Sequence, residues 1–139
     1  MKNTRLFILQ ALVVALIAAV HITALQWSLY WHYVWLDVPV HFAGGLWIAL
    51  ITSWFLLRTR TTAEMKTVFA VVILVSVAWE IFELAAGVPI EENFALDTSI
   101  DLTMDILGGL CGFFVAHKVA DANRMVQSDT NGSPQNNPS

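Results

Sequence analysis

The acids and histidines of this chain are unevenly placed. Eight of its eleven Asp and Glu residues (Asp37, Glu80, Glu83, Glu91, Glu92, Asp97, Asp101 and Asp105) lie in or near two segments, 26–37 and 87–99, that contain no Lys or Arg. Three of the four histidines, His21, His32 and His41, keep the same company. Asp101, Asp105, Gly108 and Gly112 recur at the spacing of one α-helical face, as do Ser76, Glu80, Glu83 and Gly87, and likewise Asp37, His41, Gly44 or Gly45, and Ile48. Glycines on such faces let backbones approach closely, so these faces are expected to turn inward, towards a shared centre. Neighbouring carboxylates repel one another, and no Lys or Arg stands near enough in sequence to offset them. Either some carry protons, or a cation sits among them. Asp37, His41, Glu80, Glu83, Asp101 and Asp105 are therefore the candidate metal ligands. Oxygen ligands alone suit Mg²⁺, Ca²⁺ or Mn²⁺, and an imidazole from His41 or His21 admits Zn²⁺ or Fe²⁺. Glu80, Glu83 and Asp105 are also the candidate catalytic groups, because they lie beyond a helix's first or last turn, where capping does not explain them.

The elements that position these residues follow from composition. The chain has 139 residues, 57% hydrophobic and only 13% charged, with six Trp, eight Phe and a mean hydropathy of +0.63. Soluble domains are nearer a quarter charged, so a membrane protein is expected. A bilayer core about 30 Å thick takes roughly 20 apolar residues in a helix. Four stretches qualify, residues 6–25, 38–57, 67–86 and a more polar one over 100–118. The first follows Lys2 and Arg5 as a signal peptide would, but it has no A-x-A cleavage pattern and is long enough to span, so it is read as retained.

The fold class expected is all-α, a polytopic integral membrane four-helix bundle. All seven Lys and Arg fall before the first span, between the second and third, or at and after the end of the fourth. The positive-inside rule then makes both termini cytoplasmic. The spanning domain covers residues 1–120, and the polar tail, 121–139, is expected to be disordered. Aromatics of the loop 26–37, from Trp27 to Trp35, suit the lipid–water boundary.

Each chemical reading has a plainer counterpart. Asp37, two residues before Pro39, could cap the second span, and Thr98-x-x-Asp101 has the form of a capping box. His41 alone would suit a hydrogen-bonded interior histidine, and Glu91, Glu92 and Asp97 a solvated loop. Gly108-x-x-x-Gly112 suits helix packing. A net charge of −4 without a basic stripe argues against nucleic acid, and a lone cysteine, Cys111, against a disulfide scaffold. No Ser–His–Asp arrangement is evident around Ser28 or Ser99.

From about Asp37 to Gly112 the chain resembles the VanZ-like family of small bacterial membrane proteins. The resemblance rests on Asp37-x-x-x-His41-Phe42, on an acid late in the third span best matched by Glu83, and on Asp101-x-x-x-Asp105-x-x-Gly108-x-x-x-Gly112. The YjdF-type inner-membrane proteins have a similar order of elements. Compared with the VanZ-like pattern, Asp105 stands for Asn, Ala86 for Gln, and an Arg before Asp101 is missing. The resemblance implies a bacterial cell envelope setting, in the inner membrane, without naming a reaction.

Three functions are expected to compete. The leading one is an accessory or structural envelope protein whose polar cluster fixes helix pairing or binds a partner. The second is a metal-dependent enzyme acting at the outer leaflet on a lipid-linked or cell-wall intermediate. The third is cation or proton transport, with Gln10, Thr52 and Ser76 as a sparse path through the inner half. Membrane lipid is the expected surrounding, a lipid-linked ligand a candidate partner, and a second copy another.

Overall fold

A computed structural model of the chain describes residues 4–59, 61–86 and 93–132. Its regular structure over these residues is all helical, with α1 at Thr4–Gln26, a short α2 at Leu29–His32 and a 3₁₀ turn at Val34–Leu36. Then follow α3 at Asp37–Arg58, α4 at Met65–Ala86 and α5 at Phe94–Gly132. Four of them, α1, α3, α4 and α5, are long and apolar enough to cross a membrane. The expected membrane four-helix architecture is present.

The pair α3 and α5 forms the centre of the bundle. Glycine sets their separation. A Cβ at Gly45 would overlap the Asp105 carbonyl, one at Gly108 the Phe42 carbonyl, and one at Gly112 the Leu46 carbonyl. The two backbones therefore touch along a seam that no larger residue permits, which maximises van der Waals contact where lipid offers no hydrophobic drive. Away from the chain's acid-rich end, this seam is lined by small and aliphatic groups. Ile48, Ala49, Val68, Val72 and Phe113 form one buried cluster, and Leu6, Leu50 and Ala116 another.

Helix α1 leans on α3, and α4 on both α3 and α5. Their outward faces carry Leu12 and Leu16 on α1 and Leu74 and Phe82 on α4, all more than half exposed, as lipid-facing residues should be. Between α1 and α3, the aromatic loop folds into α2 and the 3₁₀ turn and leaves Trp27 and Trp35 exposed. Ser28 makes the bend with φ 54°, in the left-handed region.

Three expectations change. Asp37 is the first residue of α3 and makes no cap bond, since the residue before the helix, Leu36, has no capping side chain. Thr98 and Asp101 are not a capping box either. Helix α5 starts earlier, at Phe94, where the Asn93 side chain accepts a hydrogen bond from the Leu96 amide at 3.3 Å. That frees Asp101 for another role. At the other end α5 stays helical to Gly132, whereas disorder is the sequence expectation from residue 121. Ala120, Ala122, Met125 and Gln127 are good helix formers, and Asp121 pairs with Arg124 one turn on at 3.6 Å. Residues 133–139 of the expected tail lie outside the described residues.

Candidate functional site

His41 is the pivot of the acid-rich end. It sits one turn into α3 and is only 4% exposed. The ring is held from both sides. Nδ1 lies 3.2 Å from Asp105 Oδ2 on α5, and Nε2 lies 3.6 Å from Asp37 Oδ2, one turn back on α3. The first distance is a hydrogen bond and the second is too long for one. Asp105 reaches His41 because the glycine seam draws α5 against α3 at this level, with Gly45 packed on the Asp105 carbonyl.

Two further acid pairs close on the same ring. Ligand atoms of Asp37, His41 and Glu83 lie within 4.8 Å of one another, and so do those of His41, Glu80 and Asp101. All six residues singled out by helical spacing thus meet around one imidazole, brought there by three helices. Asp101 and Asp105 are 3% and 4% exposed, an unusual depth for carboxylates. The Asp101 side chain makes no hydrogen bond among the described residues, and Glu80 Oε1 is buried without a partner. The ion pairs of Lys66 and Arg124 are made with Glu64 and Asp121, away from this cluster.

The geometry divides the roles of the two ring nitrogens. With Nδ1–H donating to Asp105, Nε2 presents its lone pair towards Asp37 and the other acids. A carboxylate–histidine pair of this kind fixes tautomer and ring orientation where imidazole serves as a metal ligand. Asp37 Oδ2 faces that nitrogen, and Glu80, Glu83 and Asp101 bring oxygens close to the same ring. The residues present therefore fit a divalent cation of the type that accepts mixed nitrogen and oxygen ligands.

The other expected groups are elsewhere. Glu91 and Glu92 lie outside the described residues. Asp97 is half-buried near the mouth of the cluster. His32 is exposed and bonds the Ser28 carbonyl, while His117 bonds the Phe113 carbonyl and stacks on its ring. Neither joins the site. Cys111 is exposed on α5. Of the inner polar residues, Gln10 accepts a hydrogen bond from Trp47 Nε1 at 3.1 Å, and Ser53 Oγ and Ser76 Oγ are buried without partners.

Two residues at the mouth work together without sharing a helical spacing. Tyr30, on α2, bonds His21 Nδ1 at 2.8 Å, and His21 meets Trp79 of α4 edge-on. Burial pushes the Tyr30 phenol up to about 12, helped by the negative charges of Asp37 and then Glu83. In sequence Tyr30 is one aromatic among several in the belt. Only the fold of the loop brings it back over the acids.

No curated protein and no solved structure matches the chain. A family model described as "Predicted membrane protein (DUF2238)" matches residues 1–122, which include all four candidate spans except the end of α5. On that match the chain belongs to the DUF2238 family of predicted membrane proteins.

Proposed function

We propose that this membrane protein binds a divalent cation in a pocket centred on His41, and uses it at the outer face of the membrane. The observation that carries the reading is the pair of acid groups, Asp37 with Glu83 and Glu80 with Asp101, that converge on one buried imidazole already fixed by Asp105. A bare cluster of this charge is costly in a membrane, whereas a divalent ion offsets the repulsion at once. Such an ion, when bound, lowers the pKa of a coordinated water or polarises a phosphoryl or carbonyl oxygen. His41 and the acids hold and orient it. Glu80, with its unpartnered oxygen, is the residue placed to take a proton.

The distribution of Lys and Arg supports a topology with both termini cytoplasmic. The VanZ-like and YjdF-type resemblances support a bacterial inner-membrane setting, where lipid-linked and cell-wall intermediates are at hand. Transport is disfavoured. Below His41 the buried core of the bundle is apolar, with Ile48, Leu50, Val72 and Phe113, and the Gln10 side chain is engaged by Trp47. A non-catalytic accessory role has one observation in its favour, since the His41–Asp105 contact also ties α3 to α5.

Elemental analysis of detergent-purified protein in metal-free buffer tests the reading. Near-stoichiometric divalent metal in the wild type, lost in the Glu80→Gln/Asp101→Asn double variant at unchanged helix content, is the expected result. Protein that stays metal-free after incubation with Zn²⁺, Mn²⁺ and Mg²⁺ contradicts it and leaves the accessory role.

A further inference from the structure

A cleft of about 260 Å³ lies beside the cluster, between α1 and α4 and floored by α3. Helices α1 and α4 meet at His21 and Trp79, and below that contact they part. Val14 and Ile17 of α1, Ile48 of α3 and Val75 of α4 make its walls apolar. Ala18 and Val75 line the cleft and are themselves exposed, so it opens on the lipid-facing side of the bundle. From Val40 to Ile48 it runs eight residues along α3, roughly 12 Å at the helical rise.

One corner of the cleft differs from the rest. His41 and Asp105 border it there, and so does Ser76, 2% exposed, whose hydroxyl has no partner. Asp105 Oδ2 accepts from His41, which leaves Oδ1 facing Gly44, another lining residue. The corner thus offers a carboxylate oxygen and a hydroxyl, and behind them stand the other acids of the cluster. A carboxylate oxygen beside a hydroxyl without a partner favours a cationic hydrogen-bond donor over an anion. The molecule that complements it has an apolar chain and a cationic, hydrogen-donating head.

We propose that the α1/α4 cleft binds the chain of an amphiphile whose ammonium head sits at Asp105 and Ser76. The chain replaces lipid along Val14, Ile17 and Ile48. The ammonium donates to Asp105 Oδ1 and to the otherwise orphaned Ser76 hydroxyl. This goes beyond the metal reading and does not depend on it, because Asp105 Oδ1 and the Ser76 hydroxyl border the cleft whatever the rest of the cluster holds.

Native mass spectrometry of chelator-treated protein, released from a nonionic detergent, tests the proposal with three probes of one chain length: decylammonium, decyl phosphate and decanol. Decylammonium is expected to give the dominant adduct. Ala18→Phe fills the cleft from an exposed position and should remove that adduct. Leu12→Phe, on the lipid face of the same helix and 64% exposed, should keep it. Ser76→Ala should weaken it about two- to ten-fold, the worth of one hydrogen bond. Equal binding of the three probes, a preference for decyl phosphate, absence of any adduct, or wild-type binding by Ala18→Phe would each overturn the proposal. So would a dimer that Ala18→Phe dissolves, which would give the cleft to a second copy.

Discussion

The two halves of the α3/α5 seam are built from the same backbone contact and carry opposite chemistry. At one end Asp37, His41, Asp101 and Asp105 are packed into a space that glycine keeps tight. At the other, Ala49, Leu50, Phe113 and Ala116 fill the seam, with Ser53 as a buried polar exception. Packing alone needs only the second pattern. Placing several carboxylates and a histidine in the first exposes the fold to a desolvation cost that the apolar end avoids, a cost the proposed binding role would explain.

The largest expected effect comes from the seam itself. Gly108→Leu forces α5 away from the Phe42 carbonyl, and should abolish the folded, monodisperse form in detergent, read by size-exclusion and thermal unfolding. A stable, wild-type-like Gly108→Leu would show that the close approach is not needed. Next comes the pivot. His41→Gln should remove metal binding while leaving helix content unchanged. Asp105→Ala, which frees the ring from its anchor, should weaken metal affinity by about 10–100-fold in a chelator competition. Equal losses at these two positions would make Asp105 a direct ligand instead.

A smaller effect is spectroscopic. In a Tyr33→Phe background the remaining tyrosine, Tyr30, should ionise at about 12, since burial and the charges of Asp37 and Glu83 hold it up. The raised value favours the neutral phenol in the folded protein. Its contribution to stability is therefore full below the ordinary pKa of 10.0 and is lost as pH rises through about 12. Asp37→Asn should lower the midpoint part of the way, burial being the larger cause; an unmoved midpoint would place Asp37 out of reach. The smallest change is expected at the apolar end. Ser53 has a buried hydroxyl without a partner, so Ser53→Ala should cost little or stabilise slightly in thermal unfolding. A large loss there would mean that the apolar end also depends on a polar contact.

How far the sequence carries these conclusions differs between elements. The four spans are legible because lipid demands long uniform apolar runs, and α1, α3 and α4 begin and end within a few residues of the hydropathy estimate. Spacing along α3 and α5 places Asp37 with His41 and Asp101 with Asp105 on shared faces, since those intervals are helical turns. Three things depend on contacts between distant segments and leave no periodic trace. One is the division of His41 between Asp37 and Asp105, which is set by the rotation of α5 against α3. Another is the return of Tyr30 over the site through the α2 turn. The third is the cleft, which exists because α1 and α4 separate below His21 and Trp79. Helix α5 starts earlier than its apolar run for a local reason, since Asn93 and not Thr98 caps it.

The most direct test of the central claim is X-ray absorption at the zinc edge of zinc-loaded protein, wild type beside His41→Gln. One imidazole nitrogen among oxygen ligands in the wild type, with the imidazole scattering lost in the variant, is the predicted result. An oxygen-only shell in the wild type, or an imidazole signal that survives His41→Gln, would contradict a metal site centred on this histidine.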